Sequence, residues 1–125
     1  MGFAFGFVRK KSGQLRPCVD YRHLNDLIRK DAFPLPRIED CFDTVAGATL
    51  FSSMDITSAY NQIPVREEDN PKTAFVSKYG LVEFVTMPFG LSGSPATFQR
   101  CLELALAGLQ WKICLIYLDD ILVFA

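Results

Sequence analysis

Apolar and polar residues alternate in short runs along most of this chain, and the spacing of those runs changes in a readable order. "FGFVRKK" (5–11) and "LRPCVDY" (15–21) are strand-like and are separated by Ser12-Gly13, which predicts a hairpin. Its tip carries Arg9, Lys10, Lys11 and Arg16. "DYRHLNDLIRKDAFPLP" predicts a weak helical or irregular connection closed by Pro34 and Pro36. In "RIEDCFDTVAG", Ile38, Cys41, Phe42 and Val45 recur at i, i+3, i+4 and i+7, which predicts a helix with one buried stripe. Gly47 stands where its C-terminal cap belongs.

"ATLFSSMDI" predicts a strand that ends at Asp55, and "TSAYNQ" has room for a turn or two of helix. "KTAFVSKYGLVEFVTM" predicts a second hairpin about Lys78-Tyr79-Gly80. After the loop "MPFGLSGSP", Ser94 as N-cap and Pro95 as first helical residue open a helix that Gly108 ends. Phe98, Leu102, Ala105, Leu106 and Leu109 form its expected buried face. "KICLIY" and "ILVFA" are strand-like arms around Leu118-Asp119-Asp120. Hairpins with two or three helices define an α+β chain in which helices cover one face of a sheet.

Composition bounds this picture. The 125 residues are 50% hydrophobic and 22% charged, enough for one domain with a core. No run approaches the roughly 18 apolar residues of a membrane span. "MGFAFGFVRKK" places its basic residues after the apolar ones, the reverse of a secretory signal. Gly6 falls where a myristoylation signal carries Ser or Thr. Cys18, Cys41, Cys101 and Cys114 are widely spaced and accompany a single histidine, His23. They are expected as buried thiols in a reducing compartment, not as disulfides or zinc ligands. Charge is uneven: residues 1–30 carry seven Lys or Arg against two Asp, and residues 31–125 carry six against twelve acids. A basic lobe on an acidic body suits a polyphosphate or nucleic acid, or else is a solvated face.

Asp55, Asp119 and Asp120 all sit at expected strand ends or turns. Singly, Asp55 reads as a helix cap and Asp119-Asp120 as turn residues. Jointly they suggest more. If Asp55 ends a central strand and Asp119 lies in a hairpin beside it, the carboxylates repel unless a cation lies between them. Carboxylates and a triphosphate are the usual ligands of Mg²⁺, and two such ions roughly 4 Å apart activate a hydroxyl and stabilise a leaving pyrophosphate. Lys10 and Arg16, on a glycine-containing hairpin, would then close on the β- and γ-phosphates, while Arg9 and Lys11 read as solvated charges.

"YLDD" (117–120) within "IYLDDILVF" resembles the signature of reverse transcriptases. It follows, in order, "LRPCVDYRHLN" (15–25), "FPLPRIED" (33–40), "FSSMDITSAYNQIPV" (51–65), "KTAFVSKYGLVEFVTMPFGL" (72–91) and "SPATFQR" (94–100). Their order and spacing are similar to the polymerase of long-terminal-repeat retrotransposons, the gypsy class in particular. The blocks cover nearly all of residues 8–125. "MGFAFG" lies outside the likeness, and Gly93-Ser94 stands where related elements often carry Asn-Ala.

The resemblance implies a fingers-and-palm fold whose palm is an antiparallel sheet backed by helices. Fingers are expected over about 1–50 and 61–90, and palm over about 51–60 and 91–125. It also implies a templated DNA polymerase that uses two Mg²⁺ ions, with Mn²⁺ as the alternative. Asp55 and Asp119 match the main metal ligands, with Asp120 supporting and the Ile56 backbone nearby. Lys10 and Arg16 match triphosphate cations, and Ile56 and Thr57 adjoin that triphosphate. Tyr60 matches the ring that excludes a ribose 2′-hydroxyl, and Phe89 a position near the sugar; each also reads as a packed aromatic. Tyr117 would lie along the primer's minor groove, while Arg22 and Asn25 serve the template side or structure.

Implied partners are an RNA or DNA template with primer, deoxynucleoside triphosphates and no membrane. The implied setting is intracellular, in the cytoplasm, within a virus-like particle for the parent element. Thumb, ribonuclease H and the palm's last strands are expected in the remaining polyprotein. Two other readings compete: an inert or domesticated relic that at most binds nucleic acid, and a cyclase-like palm. The fingers blocks and Tyr60 disfavour the cyclase.

Overall fold

Residues 2–125 are described by a computed structural model. They form two compact units, Met1–Lys30 with Tyr60–Ser94, and Asp31–Ala59 with Pro95–Ala125. Among the described residues no helix is long and apolar enough to cross a membrane.

The first unit opens with the expected antiparallel hairpin of β1 (Phe5–Arg9) and β2 (Leu15–Val19). Its turn is closed by the N–H of Lys10 donating to the Gln14 carbonyl (2.8 Å) and that of Gly13 to the Lys10 carbonyl (2.9 Å). Gly13 has φ +86°, a conformation that costs glycine no Cβ clash. Helix α1 (Arg22–Leu27) realises the weakly helical stretch. Two 3-10 segments, Ala59–Gln62 and Glu67–Thr73, precede the hairpin of β4 (Phe75–Ser77) and β5 (Gly80–Val82). Tyr21 is 2% exposed, and its hydroxyl donates to the Thr73 carbonyl at 2.7 Å. Thr73 in turn accepts from the N–H of Phe84 (2.8 Å) and donates to the Asn70 carbonyl (2.7 Å), so this buried polar cluster is satisfied.

Within the opening stretch that lies outside the family likeness, Phe3, Ala4 and Phe5 take part in the fold. Phe3 forms a bridge to Phe75, its N–H donating to Ala74 at 2.9 Å, and Ala4 accepts from Asp20. Phe3 meets Tyr21 edge-on (5.2 Å), and Phe5 stacks on Phe75 (5.0 Å).

The second unit holds α2 (Ile38–Val45), β3 (Phe51–Asp55), β6 (Cys114–Tyr117) and β7 (Asp120–Phe124), with all but the first residue of α3 (Ser94–Ala105). The sheet is antiparallel in the order β3-β7-β6. β3 is therefore an edge strand of the described sheet and not the central strand expected of it; β7 is central. Its end is held where the N–H groups of Thr49 and Leu50 donate to the Ala125 carbonyl (2.8 and 3.0 Å). The core lies between α3 and β6, where Phe98, Gln99, Cys114, Leu115 and Ile116 are buried.

Four expectations differ from the structure. Helix α2 forms and Gly47 follows it at φ +87°, but its stripe is not buried: Ile38 and Phe42 are 66% and 69% exposed. Periodicity fixes which face is apolar, and whether anything covers that face is a separate question. Ser94 begins α3 itself, and its hydroxyl donates to the Pro88 carbonyl (3.4 Å) in place of the expected N-cap role. On α3 the interior is centred on Phe98 and Gln99, whereas Ala105 is exposed; the helix ends there, and Leu109, expected on its buried face, lies exposed in the turn that follows. The four cysteines are free; Cys114 is buried and the other three are partly exposed. Burial pushes the Cys114 thiol up, and burial followed by the Asp40 charge does the same to Cys41.

Candidate active site

Register brings the aspartates together. The β3–β7 pairing sets Asp55 opposite Asp120, and the β7–β6 pairing sets Asp120 opposite Tyr117. Asp120 is the first residue of β7, so the turn is the two residues Leu118 and Asp119, one shorter than the sequence suggested. A two-residue hairpin loop needs a positive φ at its first position. Leu118 supplies it at +54°, a non-glycine strain of order 1–3 kcal/mol that the surroundings must hold. The N–H of Ile56 donates to the Asp119 carbonyl at 3.1 Å, tying the end of β3 to that turn.

Asp55 and Asp120 are exposed and Asp119 is half-buried. Among the described residues no ion pair engages these three. Nor do any three His, Cys, Asp or Glu side chains there converge on one metal position. The donor set is nevertheless what a hard cation takes: adjacent oxygens without a protein counter-cation, leaving positions for water and substrate phosphate. Thr57 follows Ile56 in the exposed turn after β3.

One residue of this region was missed by sequence reasoning. Gln99 is fully buried; its Oε1 accepts the Leu118 N–H at 2.7 Å and its Nε2 donates to the Ile116 carbonyl at 2.9 Å. The available signal was an amide next to Phe98 and three residues before Leu102, inside a helical apolar face.

The first unit collects three other predicted residues. The Arg16 guanidinium lies over the Phe89 ring, 4.9 Å from its centroid, and Tyr60 meets the same ring edge-on at 5.3 Å. Lys10 is exposed in the β1–β2 turn. Arg22 is engaged locally: its Nε donates to both oxygens of Asp20 (2.9 and 3.1 Å) and its Nη2 to one (2.6 Å). That hydrogen bonding holds the Asp20 carboxyl down at about 2. Asn25 clamps a loop, donating to the Gly90 carbonyl and accepting the Ser92 N–H, both at 2.8 Å. The Arg22 and Asn25 side chains thus both make hydrogen bonds within the first unit.

The fold has clear counterparts among solved structures. A native prototype foamy virus protease-reverse transcriptase superposes with a TM-score of 0.79 over 98% of this chain and 16% of that chain, at 22% identity. A foamy viral protease-reverse transcriptase in complex with double-stranded DNA gives 0.83 over 98% of this chain and 21% of that one, also at 22% identity. The α+β fold is therefore that of viral reverse transcriptases. The reverse transcriptase (RNA-dependent DNA polymerase) family profile matches residues 8–125, and the chain belongs to this family.

An RNA-directed DNA polymerase homolog from Oenothera berteroana is 41% identical over 110 residues, 88% of this chain and 78% of that protein. A Pol polyprotein from transposon 297 of Drosophila melanogaster is 40% identical over 114 residues, 91% of this chain and 11% of that protein. The Tf2-3 polyprotein of Schizosaccharomyces pombe is 40% identical over 94% of this chain and 9% of its own length. The chain thus spans about a tenth of the polyproteins it matches. Reverse transcriptases generally use divalent metal ions.

Proposed function

We propose that this chain carries the catalytic carboxylates of an RNA-directed DNA polymerase of a gypsy-class retrotransposon, acting in templated deoxynucleotidyl transfer. The observation that carries the reading is the pairing of Asp55 with Asp120 across β3 and β7, with Asp119 in the adjoining turn. Asp55 and Asp119 are the main ligands of two Mg²⁺ ions, Asp120 supports them, and the Ile56 backbone adjoins them. Bound there, the ions supply activation of the primer hydroxyl and charge neutralisation on the leaving pyrophosphate. The protein's own contribution is to hold these oxygens in place, since phosphoryl transfer is mostly positioning and electrostatics.

Arg16, Phe89 and Tyr60 form a cationic and aromatic cluster suited to a deoxynucleotide. Lys10 adds a triphosphate contact, and Tyr117, opposite Asp120, faces the primer end. A primed RNA or DNA template is the expected partner; a foamy viral relative was solved with an RNA/DNA hybrid, which supports this.

The test is primer extension by the polypeptide that contains this chain. Extension should require a divalent cation and be lost in Asp119→Asn. Equal extension by that variant would sink the assignment and leave nucleic-acid binding alone as the role of the basic hairpin.

A further inference from the structure

We propose that Gln99 is a positioning residue for the Asp119 turn, setting where that carboxylate stands relative to Asp55. The proposal rests on the polymerase reading above for its functional consequence, and on α3 and β6 for its geometry. The Gln99 amide bridges the last strand residues and the turn: its Nε2 donates to the Ile116 carbonyl and its Oε1 accepts the Leu118 N–H. These two bonds flank Tyr117 and end one residue before Asp119. The Ile56 N–H reaches the Asp119 carbonyl from the end of β3. The turn backbone is thus held on one side by a helix and on the other by the strand that carries Asp55.

The orientation of the amide is itself fixed. Glu103, one turn along α3, accepts from Gln99 Nε2 at 3.0 Å and from Gln110 Nε2 at 3.2 Å. A backbone N–H only donates and a carbonyl only accepts, so the amide oxygen must face Leu118 and the amide nitrogen must face Ile116 and Glu103. A buried amide with an unmet donor or acceptor is costly, and here each has a partner. The need for such an anchor is visible at Leu118, whose left-handed backbone is unusual for a γ-branched residue. An apolar residue at 99 would fill the space and leave the Leu118 N–H and Ile116 carbonyl without these partners.

Amide hydrogen exchange on the unsubstituted chain is the first measurement. The Leu118 amide should exchange as slowly as the β6 amides; exchange as fast as that of exposed Ser12 would overturn the proposal without any variant. Gln99→Met and Glu103→Gln are then compared with Asp119→Asn. Exchange at Leu118 should accelerate in Gln99→Met and less so in Glu103→Gln. Mn²⁺ affinity, read from broadening of the Asp55, Asp119 and Asp120 amides, should fall by about ten- to a hundredfold in Gln99→Met, the usual range for groups that orient ligands. In primer extension, kcat should drop while KM for the deoxynucleotide changes little. Unchanged Mn²⁺ affinity and exchange in a folded Gln99→Met would overturn the proposal. Should Gln99→Met not fold, Glu103→Gln decides by the same two readouts. Asp119→Asn separates the two ideas: unaltered Mn²⁺ binding and extension there sinks the catalytic reading, whereas loss there with a neutral Gln99→Met sinks only this one.

Discussion

The guanidinium of Arg16 lies over the ring of Phe89, 4.9 Å from its centroid, although the two residues belong to separate sequence blocks. Phe89 is 38% exposed, so the pair is at the surface and its cation–π term is on the order of 0.5–1 kcal/mol. Arg16→Ala should lower unfolding stability by that amount in urea titration and raise KM for deoxynucleotides in primer extension. Arg16→Lys keeps the charge but loses the planar guanidinium, and should recover stability only in part. Equal stability of all three forms would show that the stack is incidental.

Tyr60 meets Phe89 edge-on, which holds its ring in one orientation. A rigid ring rejects an added 2′-hydroxyl by collision, so Tyr60→Ala should raise ribonucleotide incorporation relative to deoxynucleotide. Tyr60→Phe keeps the ring and should leave the ratio unchanged. Competition assays with paired ribo- and deoxynucleotides read this directly. A flat ratio in Tyr60→Ala would remove it as the steric gate.

Burial pushes the Tyr21 phenol up to about 12 from its ordinary 10.0. Between those values the unfolded chain ionises while the folded chain keeps its proton, so stability should fall as pH rises from about 10 to about 12. Tyr21→Phe should remove that slope and cost about 1 kcal/mol at neutral pH through the lost bond to Thr73. Chemical denaturation at pH 7 and pH 11 checks both statements.

The Asp20 carboxyl is held at about 2, below its ordinary 3.8, first by the Arg22 side-chain hydrogen bonds and then by the Arg22 backbone N–H. A lowered carboxyl contributes stability above about 3.8 that is lost as pH falls toward 2. The pair is exposed, so the effect belongs to the carboxyl's titration more than to global stability. Carbon-detected NMR titration should place the Asp20 midpoint near 2, and Arg22→Met should return it most of the way to 3.8. No movement in that variant would assign the shift to something other than Arg22.

Much of the fold was legible because it is local. Period-two runs around Ser12-Gly13 and around Lys78-Tyr79-Gly80 foreshadow both hairpins, and Gly47 marks where α2 stops, whereas α3 ends at Ala105, three residues before the expected Gly108. The family likeness was equally legible, since six ordered blocks survive without any knowledge of contacts. Legibility stopped where the outcome depends on partners distant along the chain. The period of Ile38, Cys41, Phe42 and Val45 predicts a helix with equal force whether its apolar face is covered or, as here at Ile38 and Phe42, open.

By itself, then, the sequence determined most of the strands, turns and helices, the carboxylates at strand ends, and membership of the reverse transcriptase family, but not the 3-10 segment Glu67–Thr73. Only the tertiary structure decided that β3 is an edge strand, that Asp55 faces Asp120, and that Asp120 belongs to the strand and not to the turn. It also decided that Arg16 rests on Phe89 and that Gln99 braces Leu118. The reason is physical. Side-chain periodicity records the geometry of a residue and its near neighbours, whereas register and burial come from pairing between segments that the chain must first bring together.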